Sequence, residues 1–409
     1  MHILLIHQFF LKDHDGGGMR WNEMSRFWVE AGHHVTVITG TGHYMDPNCA
    51  IKSGWAYRRI VNKDGVKVIE CPIFRSGKSS FIQKLLSFIS FTFTSIWAGL
   101  FLAKEKYDSV LVSSPPLFVG LAGIVLSKCK RIPFLFEVRD LWPESAIETG
   151  VLKNRYLIKL AFWLERLIYL HSRCINVLTP AFREILISCK NVRPEKIIYI
   201  PNAADFSLAE EVTYHFDQAH FRKAHDLAHR FILVYVGAHG IANHLIQLIE
   251  AAVLLQGTSA YFVFIGNGEE KPMLLKDAQR RKLNNVRFLD KMSKREVLAY
   301  ILAADMGISV LQKREIFKTI YSNKTFDYFS CKKPVLMMID GCSRTLIEEA
   351  RAGIFVEPEN PEDLATKIRS CISDHHVLSE MGMNGYVYAQ QNFDREVLAR
   401  RYLVYLEKI

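Results

Sequence analysis

The sequence predicts an α/β protein built from two doubly wound parallel sheets that face each other across a cleft. Three observations predict it. Short apolar runs alternate with amphipathic helical stretches along the chain, the pattern of parallel sheets covered by helices. Many of these runs, beginning with HILLIHQFF (2–10), are continuously apolar rather than alternating, as strands buried on both faces must be. The length of 409 residues, with 49% hydrophobic and 23% charged, suits two or three domains with large cores. We find no internal repeat and no low-complexity stretch.

The first half opens as a βαβ unit. After strand 2–10 comes LKDHDGGGMR, then a helix over 19–32 with Met24, Phe27, Trp28 and Ala31 on one face, then strand 33–40. The turn carries Gly16, Gly17 and Gly18 in a row. It is not the dinucleotide fingerprint G-x-G-x-x-G. Glycines there still let a backbone approach a ligand closely, although a plain flexible turn accounts for them too. Strand 65–74 follows, and then nineteen residues without a charge (85–103) between Lys84 and Lys104. That length is enough to span a bilayer. The strand at 107–116 must rejoin the sheet of residues 2–10, however, which makes 85–103 a crossover helix, either buried or resting on a lipid surface. IPFLFEVRDLWPES (132–145) reads as a strand running into a polar and aromatic loop. Glu137, Arg139 and Asp140 sit at its carboxyl end, where open parallel sheets place ligands, beside Trp142. A buried Arg139–Asp140 or Arg139–Glu137 pair is the structural alternative. A helix (155–172), strand 173–179, helix 180–188 and strand 196–206 complete the first domain, and PNAAD (201–205) reads as the connection. The expected division is 1–204, 205–385, and a tail helix, 386–409, packing back on the first domain.

The second half repeats this logic. A helix over 215–228 leads into strand 231–237, loop 238–243 and helix 244–255; YFVFIGNGEE (261–270) is a strand ending in a glycine-rich turn. Strand 304–311 precedes FKTIYSNKTFDYFSCKKP (317–334), a loop entering a helix. Thr319, Ser322 and Asn323 are residues that satisfy N–H groups at helix starts. Lys324 lies in the first turn, where the helix dipole disfavours a cation unless an anion is bound, and Asp327 follows on the same face. Strand, polar loop and helix together make an anion site. A capped helix with a solvated Lys–Asp pair is the plainer alternative.

Bulk properties narrow the partners. The net charge is +10 and the pI about 9.1, compatible with nucleic acid, anionic lipid or phosphorylated substrates. No base-reading motif or zinc-ligand spacing is present, which argues against nucleic acid. The eight cysteines are scattered and read as reduced thiols of a cytosolic protein. Met1 leads at once into a strand, without the features of a secretory signal.

Taken together, the glycine-rich first turn, PNAAD, VGAHGIANHLIQLIEAA, FIGNGEEKPML, NVRFLDKMSKREVLAYILAADMGIS, NKTFDYFSCKKPVL and AGIFVEPENPEDLA resemble the family 4 glycosyltransferases of GT-B fold. The resemblance covers nearly the whole chain. RDLWPES resembles the bacterial O-antigen and capsule transferases of the N-acetylfucosamine type. It implies a retaining, metal-independent transferase. The donor would be a nucleotide diphosphate sugar, UDP-linked, with an N-acetylated deoxyhexosamine one candidate sugar, and no cofactor would be needed. The acceptor would be a polyprenyl-diphosphate-linked saccharide in surface polysaccharide synthesis. The enzyme would sit at the inner face of the bacterial membrane, held there by helix 85–103 and basic residues.

The resemblance also distributes roles. Donor contacts are expected from Gly17, Gly18, Gly237, His239, Gly240, Asn243, Gly266, Asn267 and Phe288, and from Thr319, Ile320, Tyr321, Ser322, Asn323, Lys324 and Asp327. Acceptor contacts are expected from Gly16, Arg20, Arg139 and Trp142, and catalytic roles for Asp140, Arg139, Glu137 and Lys324. Of the family's two donor-site glutamates, the second matches Asp327 and the first falls on Thr319. Its phosphate-binding Arg and Lys fall near Ala238 and Asn243, so Lys324 is the replacement cation. The family often has a His near the 132–145 strand end, and this chain does not. The acceptor hydroxyl would attack on the leaving-group side and give its proton to a donor phosphate oxygen, with no enzyme nucleophile. Two other readings are a degenerate GT-B sugar-nucleotide-binding protein, motivated by Thr319 and Asn243, and a UDP-sugar 2-epimerase, which would need carboxylates and histidines in the cleft.

Overall fold

The computed structural model describes residues 1–11, 19–41, 56–74 and 81–409; Gly16, Gly17 and Gly18 lie outside them. Its contacts divide the described chain into two compact units, 1–201 with 396–409 and 202–395.

In the first unit the order is β1 (His2–Ile6), α1 (Arg20–Glu30), β2 (His34–Gly40), β3 (Arg58–Val61), β4 (Lys67–Cys71), α2 (Phe81–Phe101), β5 (Ser109–Ser113), α3 (Gly120–Lys130), β6 (Phe134–Val138), α4 (Glu144–Glu148), α5 (Arg155–His171), β7 (Cys174–Val177), α6 (Pro180–Ser188) and β8 (Ile197–Tyr199). The eight strands run β3-β4-β2-β1-β5-β6-β7-β8, and all pairs are parallel except β3–β4. β1 and β5 pair directly, Ile3 opposite Ser109, so α2 is a crossover helix. Phe91, Ser95 and Ala98 turn inward, while Phe93 and Trp97 are exposed. No described helix is long and apolar enough to cross a membrane. The edge strand β3 was not expected.

The second unit holds α7 (Phe206–Tyr214), α8 (Gln218–Ala224), β9 (Phe231–Val236), α9 (Ile246–Leu254), β10 (Ala260–Ile265), α10 (Lys271–Arg280), β11 (Val286–Leu289), α11 (Lys294–Ala303), β12 (Met306–Val310), α12 (Asn323–Ser330), β13 (Val335–Met338), α13 (Cys342–Glu349), β14 (Gly353–Phe355), α14 (Pro361–Ile372) and α15 (His375–Asn392). Its six strands are all parallel, in the order β11-β10-β9-β12-β13-β14. Of the expected helix 215–228 only α8 forms, and α7 precedes it where a strand was expected to end. Asp217 caps α8, its Oδ1 accepting from His220 N at 2.9 Å.

The tail expected as one element, 386–409, divides. α15 belongs to the second unit, where the Tyr386 ring meets Phe206 at 5.1 Å and its hydroxyl donates to Glu210. The final helix, α16 (Arg395–Lys408), joins the first unit almost entirely. Trp28 Nε1 donates to Ala399 O at 2.9 Å, and Tyr402 sits between Trp21 and Trp28.

Candidate active site

In the second sheet the strand order reverses between β9 and β12, the place where open α/β sheets hold ligands. The two strands pair only at Met306–Leu233 and Gly307–Val234 before diverging. Tyr328 of α12 fills the divergence. Its buried hydroxyl donates toward Ile308 O (3.0 Å) and Val234 O (3.2 Å) and accepts from Val236 N (3.3 Å). Backbone groups that the sheet leaves unpaired are thereby satisfied.

Two loops meet above this point. Gly266 has φ +142°, and a Cβ on it would lie 1.9 Å from Gly237 O. Only glycine lets the turn after β10 press on the turn after β9. His239 N donates to Asn267 O at 2.9 Å. Lys271, one turn on, donates to Gly266 O, Asn267 Oδ1 and Leu289 O, each at 2.9 Å, and to Asp290 at 2.6 Å. The His239 imidazole is fully buried beside Phe288 and Phe264, and both ring nitrogens lack a partner among the described residues. Burial, with Lys271 and Lys324 nearby, pushes its pKa down to about 4, so it is neutral at pH 7. Gly240 and Asn243 bracket the short turn that follows.

Lys324 reaches this loop from the start of α12. Its Nζ lies 4.8 Å from the Tyr235 ring centroid and 3.8 Å from where a Gly237 Cβ would stand. Its ammonium has no carboxylate within ion-pair distance among the described residues. Burial lowers its pKa to about 8, against a weaker upward pull from Asp327. The N–H groups of Asn323 and Lys324 are first-turn donors without an intrahelical acceptor. Ser322 holds the cap position, but its hydroxyl makes no cap bond. It joins a chain of hydroxyls instead: Ser322 Oγ to Ser309 Oγ at 3.2 Å, and Ser309 to Thr325 at 3.0 Å. Ser343 Oγ accepts from Ser322 N and donates to Ile320 O. Ser322 N is therefore engaged and leaves the ligand-binding N–H groups to Asn323 and Lys324. Thr319 Oγ1 donates to Ile316 O, and Tyr321 packs against Phe326 and Phe393. Asp327 Oδ1 is bound by Lys294 Nζ at 2.5 Å, a partner from α11. A cation, first-turn N–H groups and a neutral imidazole thus converge on one loop and can bind an oxyanion.

In the first unit, Arg20 and Glu137 correct the expectation. Both are buried and bonded to each other, Nε to Oε1 at 3.1 Å and Nη2 to Oε2 at 2.9 Å. Asn176 and Ser113 donate to the same carboxylate, and Arg20 donates to Ile200 O and Pro201 O. Every strong site is occupied, so this pair secures the chain leaving β8 rather than facing an acceptor. Arg139 pairs with neither Glu137 nor Asp140. Its Nη1 lies 3.5 Å from Nε2 of His7, at the carboxyl end of β1. Asp140 accepts from Ser145 Oγ at 2.8 Å, and burial raises its pKa. Trp142 packs edge-on against Phe118 at 5.9 Å.

His7, Tyr235, Lys271 and Lys294 escaped sequence reasoning. His7 is buried, and its pKa is lowered to about 3 by burial and by Arg139. It sets an imidazole beside Arg139 at the end of β1. A signal existed: the polar pair His7–Gln8 interrupts an otherwise apolar run.

Two Rossmann-like α/β units, with an anion-binding loop cluster at the switch point of the second, are the architecture of a GT-B glycosyltransferase. Residues 15–203 match the model of the Glycosyl transferase 4-like domain, and residues 217–388 that of Glycosyl transferases group 1. The chain belongs to the family 4 glycosyltransferases. It is 24% identical over 396 residues, 95% of each chain, to the Escherichia coli (strain K12) protein named "Putative colanic acid biosynthesis glycosyl transferase WcaI". Among solved structures it is similar to sucrose-phosphate synthase from Thermosynechococcus elongatus, with TM-score 0.76, 17% identity, and 100% and 98% of the two chains covered. It is also similar to Anabaena Alr3699/HepE in complex with UDP-glucose, with TM-score 0.73, 16% identity and both chains covered in full.

Proposed function

We propose that this glycosyltransferase is retaining and metal-independent and takes its sugar from a UDP-linked donor, an N-acetylated deoxyhexosamine being the first candidate. The acceptor is a lipid-diphosphate-linked saccharide of bacterial surface polysaccharide synthesis. One observation carries the donor half: Lys324, a half-buried ammonium with no carboxylate partner among the described residues, stands over the Gly237 turn beside the first-turn N–H groups of α12. A diphosphate is the anion that suits such a site. As the bond from the anomeric carbon to the diphosphate breaks, negative charge grows on the departing oxygen, and Lys324 with those N–H groups stabilises it. The acceptor oxygen bonds the anomeric carbon on the same face, and its proton passes to the departing phosphate. Asp327 receives the ribose, and His239 donates from its neutral ring to the sugar or phosphate. In the first unit, Arg139, Asp140 and Trp142, with His7 behind Arg139, hold the acceptor.

The likenesses support the reading without extending to this chain's substrates. HepE is solved with UDP-glucose, and WcaI is named for colanic acid biosynthesis. The exposed side of α2, with Phe93 68% and Phe101 54% exposed, is the contact for the inner membrane face.

The test is Lys324→Ala. Turnover should fall about 10²–10³-fold and donor binding should weaken, the size expected for losing one stabilising donor. Near wild-type kinetics would remove the centre of the reading. The pH dependence is a second check. With its pKa near 8, Lys324 is charged at pH 7 and discharges as pH rises. Donor affinity should therefore drop between about pH 7 and 9, and Lys324→Arg should flatten that drop because a guanidinium stays charged.

A further inference from the structure

Two cations, Lys294 and Arg295, stand in the first turn of α11, a place the helix dipole disfavours. Ser293 caps the helix and Glu296 completes a capping box, so neither cation serves the cap. Each reaches a carboxylate on another helix instead. Arg295 meets Glu211 of α7 at 2.6 Å, with both side chains more than half exposed, where an ion pair contributes little. Lys294 meets Asp327 of α12, with the two side chains only 14% and 20% exposed. That pair is sheltered from solvent and fixes where the Asp327 carboxylate lies.

The position of that carboxylate matters because of its neighbour on α12. Lys324 lies three residues ahead on the same face. Helical side chains lean toward the N-terminus, so Asp327 leans back toward the turn that carries Lys324. Left to α12 alone, the two would pair as i, i+3 neighbours, and the ammonium would be spent on its own helix. The structure shows the other partition. Asp327 Oδ1 is taken by Lys294 Nζ, while Lys324 Nζ stands 4.8 Å from the Tyr235 ring centroid, over the Gly237 turn. Asp327 still draws the Lys324 pKa upward, so the two remain within electrostatic reach.

We propose that Lys294 is a positioning residue: it holds Asp327 off Lys324 and so keeps the Lys324 ammonium open to the phosphates of the donor. The role rests on the donor reading of Lys324. Lys294 acts through Asp327 and does not itself touch the anion. Without it, Asp327 turns to Lys324, and an anion binds only the fraction of molecules in which that new pair is broken. Apparent affinity falls by the same fraction.

Calorimetric titration of the full chain with inorganic pyrophosphate and with UDP tests it. Pyrophosphate carries two phosphates without the ribose assigned to Asp327. The wild type should bind both, and Lys324→Ala should abolish pyrophosphate binding. Lys294→Met should weaken pyrophosphate about ten-fold, as when a tenth of the molecules stay competent. Adding Asp327→Asn to Lys294→Met removes the captor and should restore pyrophosphate affinity to within about two-fold of the wild type. Lys294→Arg keeps the pair and should bind like the wild type. Arg295→Met removes an equal charge from the neighbouring position and should change nothing. Thermal melting without ligand checks that each variant folds, and Lys294→Gln replaces Lys294→Met if the latter does not. The proposal is overturned if Lys294→Met binds pyrophosphate like the wild type or if Asp327→Asn does not rescue it. It is equally overturned if Arg295→Met weakens binding as much, which would make the effect one of overall charge. If the wild type binds neither ligand, or Lys324→Ala binds pyrophosphate like the wild type, the donor reading itself falls and this inference with it.

Discussion

Arg20 and Glu137 form a buried, bidentate ion pair in the first unit, and the energetics of such pairs are asymmetric. Removing one partner leaves a buried charge uncompensated, at a cost of about 3–5 kcal/mol. Glu137→Ala should therefore lower thermal stability markedly, while Arg20→Met with Glu137→Leu, apolar and of similar volume, should recover most of the loss in a melting experiment. Tyr328→Phe probes the second sheet in the same way. It strips a hydroxyl from three backbone groups and should cost about 1–3 kcal/mol, with donor affinity falling as the β9 and β12 ends loosen. Sequence position alone picked out Glu137 as a carboxylate at a strand end. It did not disclose Arg20 as its partner, because the two lie 117 residues apart and meet only when β1 and β6 enter one sheet. Lys324 was legible for the opposite reason. Its oddity is local, a cation at the positive end of a helix, and local conflicts can be read without the fold.

At the scale of elements, the covering layer of the first sheet is set by glycines. A Cβ on Gly120 would lie 2.5 Å from Ile168 Cδ1, and one on Gly123 would lie 2.3 Å from the Phe134 ring. α3 therefore rides close to both α5 and the sheet, and its narrowness lets the longer helices flank it. Gly120→Val should destabilise by at least the roughly 1–3 kcal/mol typical of overpacking, and Ile168→Ala in the same chain should restore part of it, read as a paired shift in melting temperature. The buried strands and the crossover role of α2 were legible, since continuous apolar runs and chain order constrain both. β3, α13 and α15 were not. β3 is exposed throughout, so no buried face imprints a pattern on it. α15 carries polar residues and glycines, Gly382 and Gly385, whose purpose is close approach to Lys332 O and the Phe329 ring, a reason visible only once the helices are packed.

Over the whole molecule, the +10 charge is unevenly used. Part of it stands exposed on α5 of the first unit, as Arg155, Lys159 and Arg166; the excess was legible from composition and its location was not. The order of strands has a consequence for solubility. Each parallel sheet ends in two open edges, and an open edge is a template for another chain to pair with. The first sheet ends in β3 and β8, the second in β11 and β14. β8 and β14 are three residues long and β11 is four, too short to offer a long ladder. β3 is also four residues, but it exposes Ile60 and Val61, and the consecutive exposed arginines Arg58 and Arg59 stand beside them. Replacing both with Val should leave activity intact yet bring forward the onset of light scattering on heating, since the edge would then attract the copies it now repels.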